Sequence, residues 1–400
     1  MTKKIAIVSS FSDSCGNAYF TKVLIDSMRK NGADVECVEL DLKLTQSVDG
    51  YFRKKADRHI DEICKTLEGY DGVNIQLEAG LFGTLPKDII KRLYKLINAN
   101  PHTSVTLHSP RLVSDSASQR KAIKSLLRFN FRGALREYLA HKSTDIHRAL
   151  NRRLLDLLMN KNISLIVHTN RAKEQIKRIF GYENVHVHPL KIVASGFCPD
   201  NSVIDRVKNI LNFGDDEKII GMFGFINEYK GHTLALEAIA NLPPEYKLLI
   251  FGRQHPQTIK DNEPVSPYLR TLQKLISDDK RIRRNRVFFM GEYSTEDFIN
   301  LAATVDVVWL PYVENGQDGS GIASICLDVS PKVLCSASFA FDELFKLINY
   351  RNYYRFDIGN ALELASKTRM VLVDSSLHIT ECGEYTLDSQ AKMYINLATN

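Results

Sequence analysis

The chain has 400 residues, 44% hydrophobic and 25% charged, an ordinary globular balance that excludes a disordered or low-complexity protein and is too long for one typical core. Its formal net charge of +6 is modest for this length, so total charge gives no argument for a nucleic-acid partner. The cysteines (Cys15, Cys37, Cys64, Cys198, Cys326, Cys335 and Cys382) are scattered, odd in number and without a C-x-x-C pair, so they read as reduced thiols and not as a zinc or redox centre.

From the N-terminus, the apolar run of MTKKIAIVSSF ends at once in Ser, Asp and Gly, which leaves no signal-peptide core. No later segment approaches the roughly 20 apolar residues of a spanning helix, and the expected setting is the cytoplasm. Short β-branched runs then alternate with longer helical patterns, which predicts parallel sheets built from right-handed crossover units. Strands are expected at 4–10, 35–40, 72–78, 104–109, 164–169 and 185–190. A helix is expected over 17–31, where Phe20, Val23, Leu24, Ile25 and Met28 recur. The stretch 192–202 holds Gly196, Pro199, Asp200 and Asn201 and is the expected linker. The rhythm restarts with strands at 218–224, 247–252, 287–291, 307–312 and 332–336, and a last helix is expected at 385–399. Two open α/β sheets account for this pattern, and in such sheets ligands bind in the loops beyond the carboxyl ends of the strands.

Three of those loops carry candidate chemistry. The first, after the opening strand, contains Gly16 ahead of a helix whose free N–H groups would suit an anion, although small-residue loops are common in any α/β fold. The second runs from Gly224 to Lys230 and Gly231 before the helical pattern Leu234, Leu236, Ala238 and Ile239. A lysine there can sit as a point charge against a diphosphate, or can be an ordinary solvated lysine. The third follows Asp306-Val307-Val308-Trp309-Leu310-Pro311-Tyr312 and contains Gly316, Gln317, Gly319, Ser320 and Gly321. Its backbone amides over 319–322, with the Ser320 hydroxyl, can form an anion nest or simply connect a strand to a helix.

Over essentially its whole length the chain resembles a retaining glycosyltransferase of family 4 with the GT-B fold. Gly16 matches the glycine loop of that family, Gly224 with Lys230-Gly231 matches its G-x(5)-K-G motif, and Asp306 with Pro311-Tyr312 matches its D-x-x-x-x-P-[SY] pattern. The resemblance implies two Rossmann-like domains facing across a cleft. They are an acceptor domain at 1–195 and a nucleotide-sugar domain at 196–375, with 376–400 a C-terminal helix returning to the first domain. It assigns the donor diphosphate to Lys230 and places His108, at a strand end in Val105-Thr106-Leu107-His108, beside the transferred sugar. Without the resemblance, His108 reads as a hydrogen-bonded structural residue. His186 and His188 alternate along a strand with no carboxylate at ligand spacing and are read as structural.

Two departures stand out. The arginine usual near the lysine is replaced by Phe225 or Asn227, so a second cation is expected from Arg253. The paired glutamates of the family align with Gln317 and Ile325, and the loop resembles a Q-x-x-S-G subset in which amides and the serine hold the phosphates. Donor contacts are therefore expected from Gly16, Gly224, Lys230, Arg253, Gln317, Gly319, Ser320 and Gly321. No metal is expected, because no D-x-D motif presents carboxylates to the diphosphate. The alternative function is a non-catalytic subunit that binds a glycan or partner enzyme.

The stretch 111–161 holds twelve Lys or Arg against Asp115, Glu137, Asp145 and Asp156. Within it Lys124, Arg128, Arg132 and Arg136 fall four apart, which predicts one basic ridge on a helix whose other side carries Ile123, Leu126, Leu127, Leu135, Tyr138 and Leu139. Such a helix suits an anionic membrane surface; a solvated face over a core stripe and a groove for an acidic glycan acceptor are equally compatible. Nucleic acid is not expected, since no aromatic platform is interleaved. The expected partners are thus a nucleotide-sugar donor, a glycan or lipid-linked acceptor and an anionic membrane.

Overall fold

The computed structural model describes residues 2–11, 16–108, 110, 119–128, 130–194, 196–254, 264–282, 285–314, 317, 319–347, 352–373 and 384–399. The chain divides into two compact units, one of Met1–Ile192, Gly316–Gly319 and Glu384–Asn400, the other of Val193–Asn315 and Ser320–Gly383.

The first unit is built on β1 (Lys4–Ser9), β2 (Asp34–Glu39), β3 (Gly72–Leu77), β4 (Thr103–Leu107), β5 (Ser164–Val167) and β6 (Val185–Val187). All pairs are parallel, in the order β2-β1-β3-β4-β5-β6. Every residue of β3 and β4 is buried, as a parallel strand covered by helices on both faces requires. Helix Pro86–Asn98 shows how the cover is made, with Ile89, Leu93, Leu96 and Ile97 at helical spacing entering the core with Ile75 and Val105. Helix Leu387–Thr399 also packs on this unit. A side chain at Gly72 would lie 1.6 Å from the Ala398 carbonyl oxygen, so only glycine admits this approach. Thr106 Oγ1 donates to the Tyr394 hydroxyl at 2.9 Å, and Gln390 Oε1 accepts from the Lys191 amide at 3.0 Å.

The second unit holds β7 (Lys218–Phe223), β8 (Tyr246–Phe251), β9 (Val287–Gly291), β10 (Val307–Leu310), β11 (Val333–Ser336) and β12 (Tyr353–Phe356). They too are parallel, in the order β12-β11-β10-β7-β8-β9. The winding reverses between β7 and β10, so the loops after these two strands lie side by side at the sheet's carboxyl edge, at its topological switch point. β12 is not among the expected strands, because Tyr353-Tyr354-Arg355-Phe356 is short and broken by Arg355. Among the described residues it is an edge strand, paired to β11 alone.

The expected single basic helix is two helices, Gln119–Leu127 and Phe131–Asn160. Asn130 caps the second, its side-chain oxygen accepting from the Gly133 amide at 2.9 Å, while the Arg128 and Asn130 amides turn back onto the Lys124 and Ser125 carbonyls. Lys124, Arg128 and Arg132 consequently fall on a helix, a turn and a second helix, not on one ridge; the Arg136 side chain lies outside the described residues. The core-stripe alternative also fails for Ile123, Leu126, Leu127, Leu135 and Tyr138. They are 51–75% exposed, as is Phe131 at 65%.

Candidate functional site

At the β7–β10 switch point two loops of the second unit come together. After β7 the chain passes through Gly224, a 3-10 turn Glu228–Lys230 and Gly231, which opens helix His232–Ala240. Gly231 has φ +73°, and a Cβ there would meet the Pro311 carbonyl oxygen at 1.8 Å. Both the backbone conformation and the closeness of the two loops thus demand glycine, which is the physical content of the Lys-Gly pair. After β10, Pro311 and Tyr312 lead towards helix Gly321–Val329, whose N-cap is Ser320, with Oγ accepting from the Ala323 amide at 3.2 Å.

These loops bring Lys230, Tyr312 and Ser320 together. Lys230 is only 4% exposed, and its ammonium donates to the Tyr312 hydroxyl, which lies 3.1 Å from Ser320 Oγ. The same Nζ stands 4.4 Å from the Tyr312 ring centroid and 5.3 Å from that of Tyr229. Among the described residues no carboxylate pairs with Lys230. Burial therefore lowers its pKa to about 7, and burial pushes the Tyr312 phenol well above its ordinary range. A desolvated lysine with no carboxylate partner among the described residues, near the N-terminus of helix Gly321–Val329, has the chemistry that suits an anion.

The remaining expected donor contacts are placed as follows. Gly224 opens the first loop at the end of β7 with φ +96°, and Gly321 is the first residue of helix Gly321–Val329. Arg253 follows β8, 6.0 Å over the Phe225 ring, with its guanidinium 3.2 Å from Glu292, so its charge is already engaged. Gln317 and Gly319 group with the first unit, where the Gln317 carbonyl accepts from Arg171 at 3.1 Å and the Gln317 amide donates to the Gly319 carbonyl. Ile325 is buried in the core and carries nothing for a ribose. Gly16 begins helix Gly16–Lys30, and the loop 12–15 before it lies outside the described residues.

In the first unit, His108 follows β4. Its Nε2 lies 2.8 Å from Gln76 Oε1 and its Nδ1 3.1 Å from Nε2 of His168, while Phe20 packs edge-on against both rings. Burial, with the neighbouring His168, lowers its pKa well below the ordinary histidine value. Both ring nitrogens thus face partners within the protein, and a sugar hydroxyl reaching His108 has to displace one of them. His186 contacts Asn184 Oδ1 at 3.1 Å; His188 contacts the Pro189 carbonyl at 2.7 Å and Ser389 Oγ at 3.0 Å. Sequence reasoning missed His168 and Gln76, and took Tyr312 only as a motif letter. The available signal for His168 was the one used for His108, a histidine closing an apolar strand.

Residues 203–325 match the family model described as Glycosyl transferases group 1. No curated protein matches the chain. Among solved structures the chain is similar to HepE of Anabaena in complex with UDP and glucose, at 16% identity and TM-score 0.61, over 100% of this chain and 96% of that one. Sucrose-phosphate synthase from Thermosynechococcus elongatus gives 15% identity and TM-score 0.61 over 100% and 95%. WaaG, a glycosyltransferase involved in lipopolysaccharide biosynthesis, gives 15% and 0.53 over 99% and 94%. The two parallel six-stranded sheets with their surrounding helices are those of the GT-B fold.

Proposed function

We propose that this protein transfers a sugar from a nucleoside diphosphate sugar to a glycan or lipid-linked acceptor, with retention of anomeric configuration as in family 4. The observation that carries the reading is Lys230, a buried ammonium with no carboxylate partner among the described residues, at the switch point of a GT-B sheet and inside the segment that matches group 1 transferases. The UDP and glucose bound to HepE support a nucleotide-sugar ligand. As the bond from the sugar to the diphosphate breaks, negative charge grows on the departing phosphate. Lys230 and the amides at the start of helix Gly321–Val329 offset that charge, and the burial of the lysine limits screening by water. Ser320 holds the helix terminus in place and Tyr312 aims the lysine. Gln317 and His108 are assigned to the sugar and Gly16 to the donor. No metal ion has a part in this reading.

The acceptor reading includes an anionic membrane. The exposed Ile123, Leu126, Leu127, Phe131, Leu135 and Tyr138 lie among Lys124, Arg128 and Arg132, which is the composition of an interfacial surface. No described helix is long and apolar enough to cross a membrane.

A thermal-shift series with UDP, GDP, ADP and CMP, followed by donor hydrolysis with the nucleotide that binds, tests the reaction. One nucleotide is expected to stabilise the chain and its sugar conjugate to turn over. Lys230→Ala is expected to lower kcat about 10²–10³-fold while the fold survives. If no nucleotide binds, the protein is a non-catalytic subunit instead.

A further inference from the structure

His108, His168 and His188 stand abreast at the carboxyl edge of the first sheet, following the Thr106–Ile166 and Val167–Val187 pairs of β4, β5 and β6. The hydrogen bonds around the first two fix where protons must be. Ser104 Oγ donates to the Val73 carbonyl at 3.3 Å and accepts from Asn74 Nδ2 at 2.9 Å; Asn74 Oδ1 in turn accepts from Gln76 Nε2 at 2.6 Å. That chain orients the Gln76 amide with its oxygen towards His108, so Nε2 of His108 has to donate across the 2.8 Å contact. At the other end the His188 backbone carbonyl, 3.1 Å from Nδ1 of His168, is an acceptor that has no flipped form, so that nitrogen has to donate as well. Two neutral imidazoles own two N–H groups, and both are now directed outward. The facing nitrogens, Nδ1 of His108 and Nε2 of His168, are 3.1 Å apart and bond only if a third proton lies between them.

We propose that His108 and His168 form a one-proton couple, which takes up a single proton between their facing nitrogens, and that His168 is the residue that positions and charges His108 for sugar transfer. The second half of this statement rests on the transferase reading; the first does not. Burial opposes the added charge and lowers the His168 pKa to about 4, against the hydrogen bond to the His188 carbonyl, which raises it; the His188 ring lowers it further, and Lys191 acts in turn on His188. Tyr394 faces the same network from helix Leu387–Thr399 through Thr106, with its phenol held neutral by burial. Burial therefore holds the couple on the neutral side, and on the transferase reading the negative charge of the donor favours the third proton. With all four ring nitrogens engaged, the couple acts through charge and not as the base. The sugar C1–O bond to the diphosphate breaks, the C1–O bond to the acceptor forms, and the acceptor proton leaves on a diphosphate oxygen.

The test is nitrogen-15 histidine NMR of the full chain across a pH titration, with and without UDP, on the wild type and on His168→Phe and His168→Gln. In the wild type, Nδ1 of His108 and Nε2 of His168 are expected to shift together through one midpoint that accounts for one proton, and UDP is expected to raise it. In His168→Phe, His108 titrates alone with its midpoint lower by more than about one pH unit, and kcat falls at least about tenfold while KM for the donor stays within about threefold. His168→Gln keeps a hydrogen-bonding partner for His108 and is expected to recover part of kcat but not the wild-type pH dependence. Two independent midpoints in the wild type overturn the couple. Wild-type kcat and pH profile in both variants overturn the positioning role. A chain that turns over no nucleotide sugar removes the catalytic half, and the NMR still decides the couple.

Discussion

A lysine is ordinarily the side chain least suited to a protein interior, and Lys230 shows what its burial costs. With its pKa lowered to about 7, Lys230 loses its proton in the folded chain while the unfolded chain keeps it to about 10.4. Between those values the unfolded state binds more protons, so this residue's contribution to stability rises with pH across the window and is least favourable below about 7. Lys230→Met is accordingly expected to raise the Tm of the ligand-free protein near pH 7, with the gain shrinking towards pH 10, and to abolish the shift given by nucleotide. A lower Tm at neutral pH would mean that the charge is compensated in the empty protein. The same balance makes diphosphate binding a proton uptake above pH 7, readable by calorimetry in buffers of different ionisation heat.

At the scale of elements, the break at 128–130 changes what the basic region offers. One continuous helix would have shown charge on one side and hidden its apolar side; the turn capped by Asn130 leaves large apolar side chains of both helices in solvent beside Lys124, Arg128 and Arg132. Binding to anionic vesicles should then have two separable parts. Lys124→Glu with Arg128→Glu is expected to weaken sedimentation with vesicles at low salt, each charge contributing about 1 kcal/mol near the surface. Leu127→Ser with Phe131→Ser is expected to weaken it equally at low and high salt, because apolar insertion is not screened. Binding indifferent to both double substitutions would leave the hairpin as an acceptor groove or a solvated face.

For the molecule as a whole, helix Leu387–Thr399 is remote in sequence from the sheet it covers. It supplies Tyr394 to Thr106, Gln390 to the Lys191 backbone and Ser389 to His188, and lies against Gly72. Ending the chain at residue 383 uncovers apolar surface and strands these polar partners, each at about 1–3 kcal/mol. Hydrogen exchange is expected to show lost protection in β3 and β4 while β7 and β8 keep theirs. Equal protection in all four strands would show that the helix adds nothing to the first unit.

The alternation of buried β-branched runs with helical periodicity is a local property of the chain, and by itself it determined two parallel sheets, eleven of the twelve strands and the loops in which to seek chemistry. β12 escaped because an edge strand need bury only part of its surface, so Tyr353–Phe356 is four residues long with an exposed arginine among its aromatic residues. The Gly224-to-Gly231 spacing was legible for a similar local reason, since positive φ and close approach select glycine at a fixed place. Tertiary structure alone decided that Lys230 is desolvated and bound to Tyr312, 82 residues away, and that His108 meets His168, 60 residues away. It also decided that the basic ridge is broken, through one side-chain cap at Asn130. Periodicity reports which face of an element is apolar. Protonation and hydrogen-bond partners depend on which faces meet and how much water they exclude, and those are properties of the packed fold.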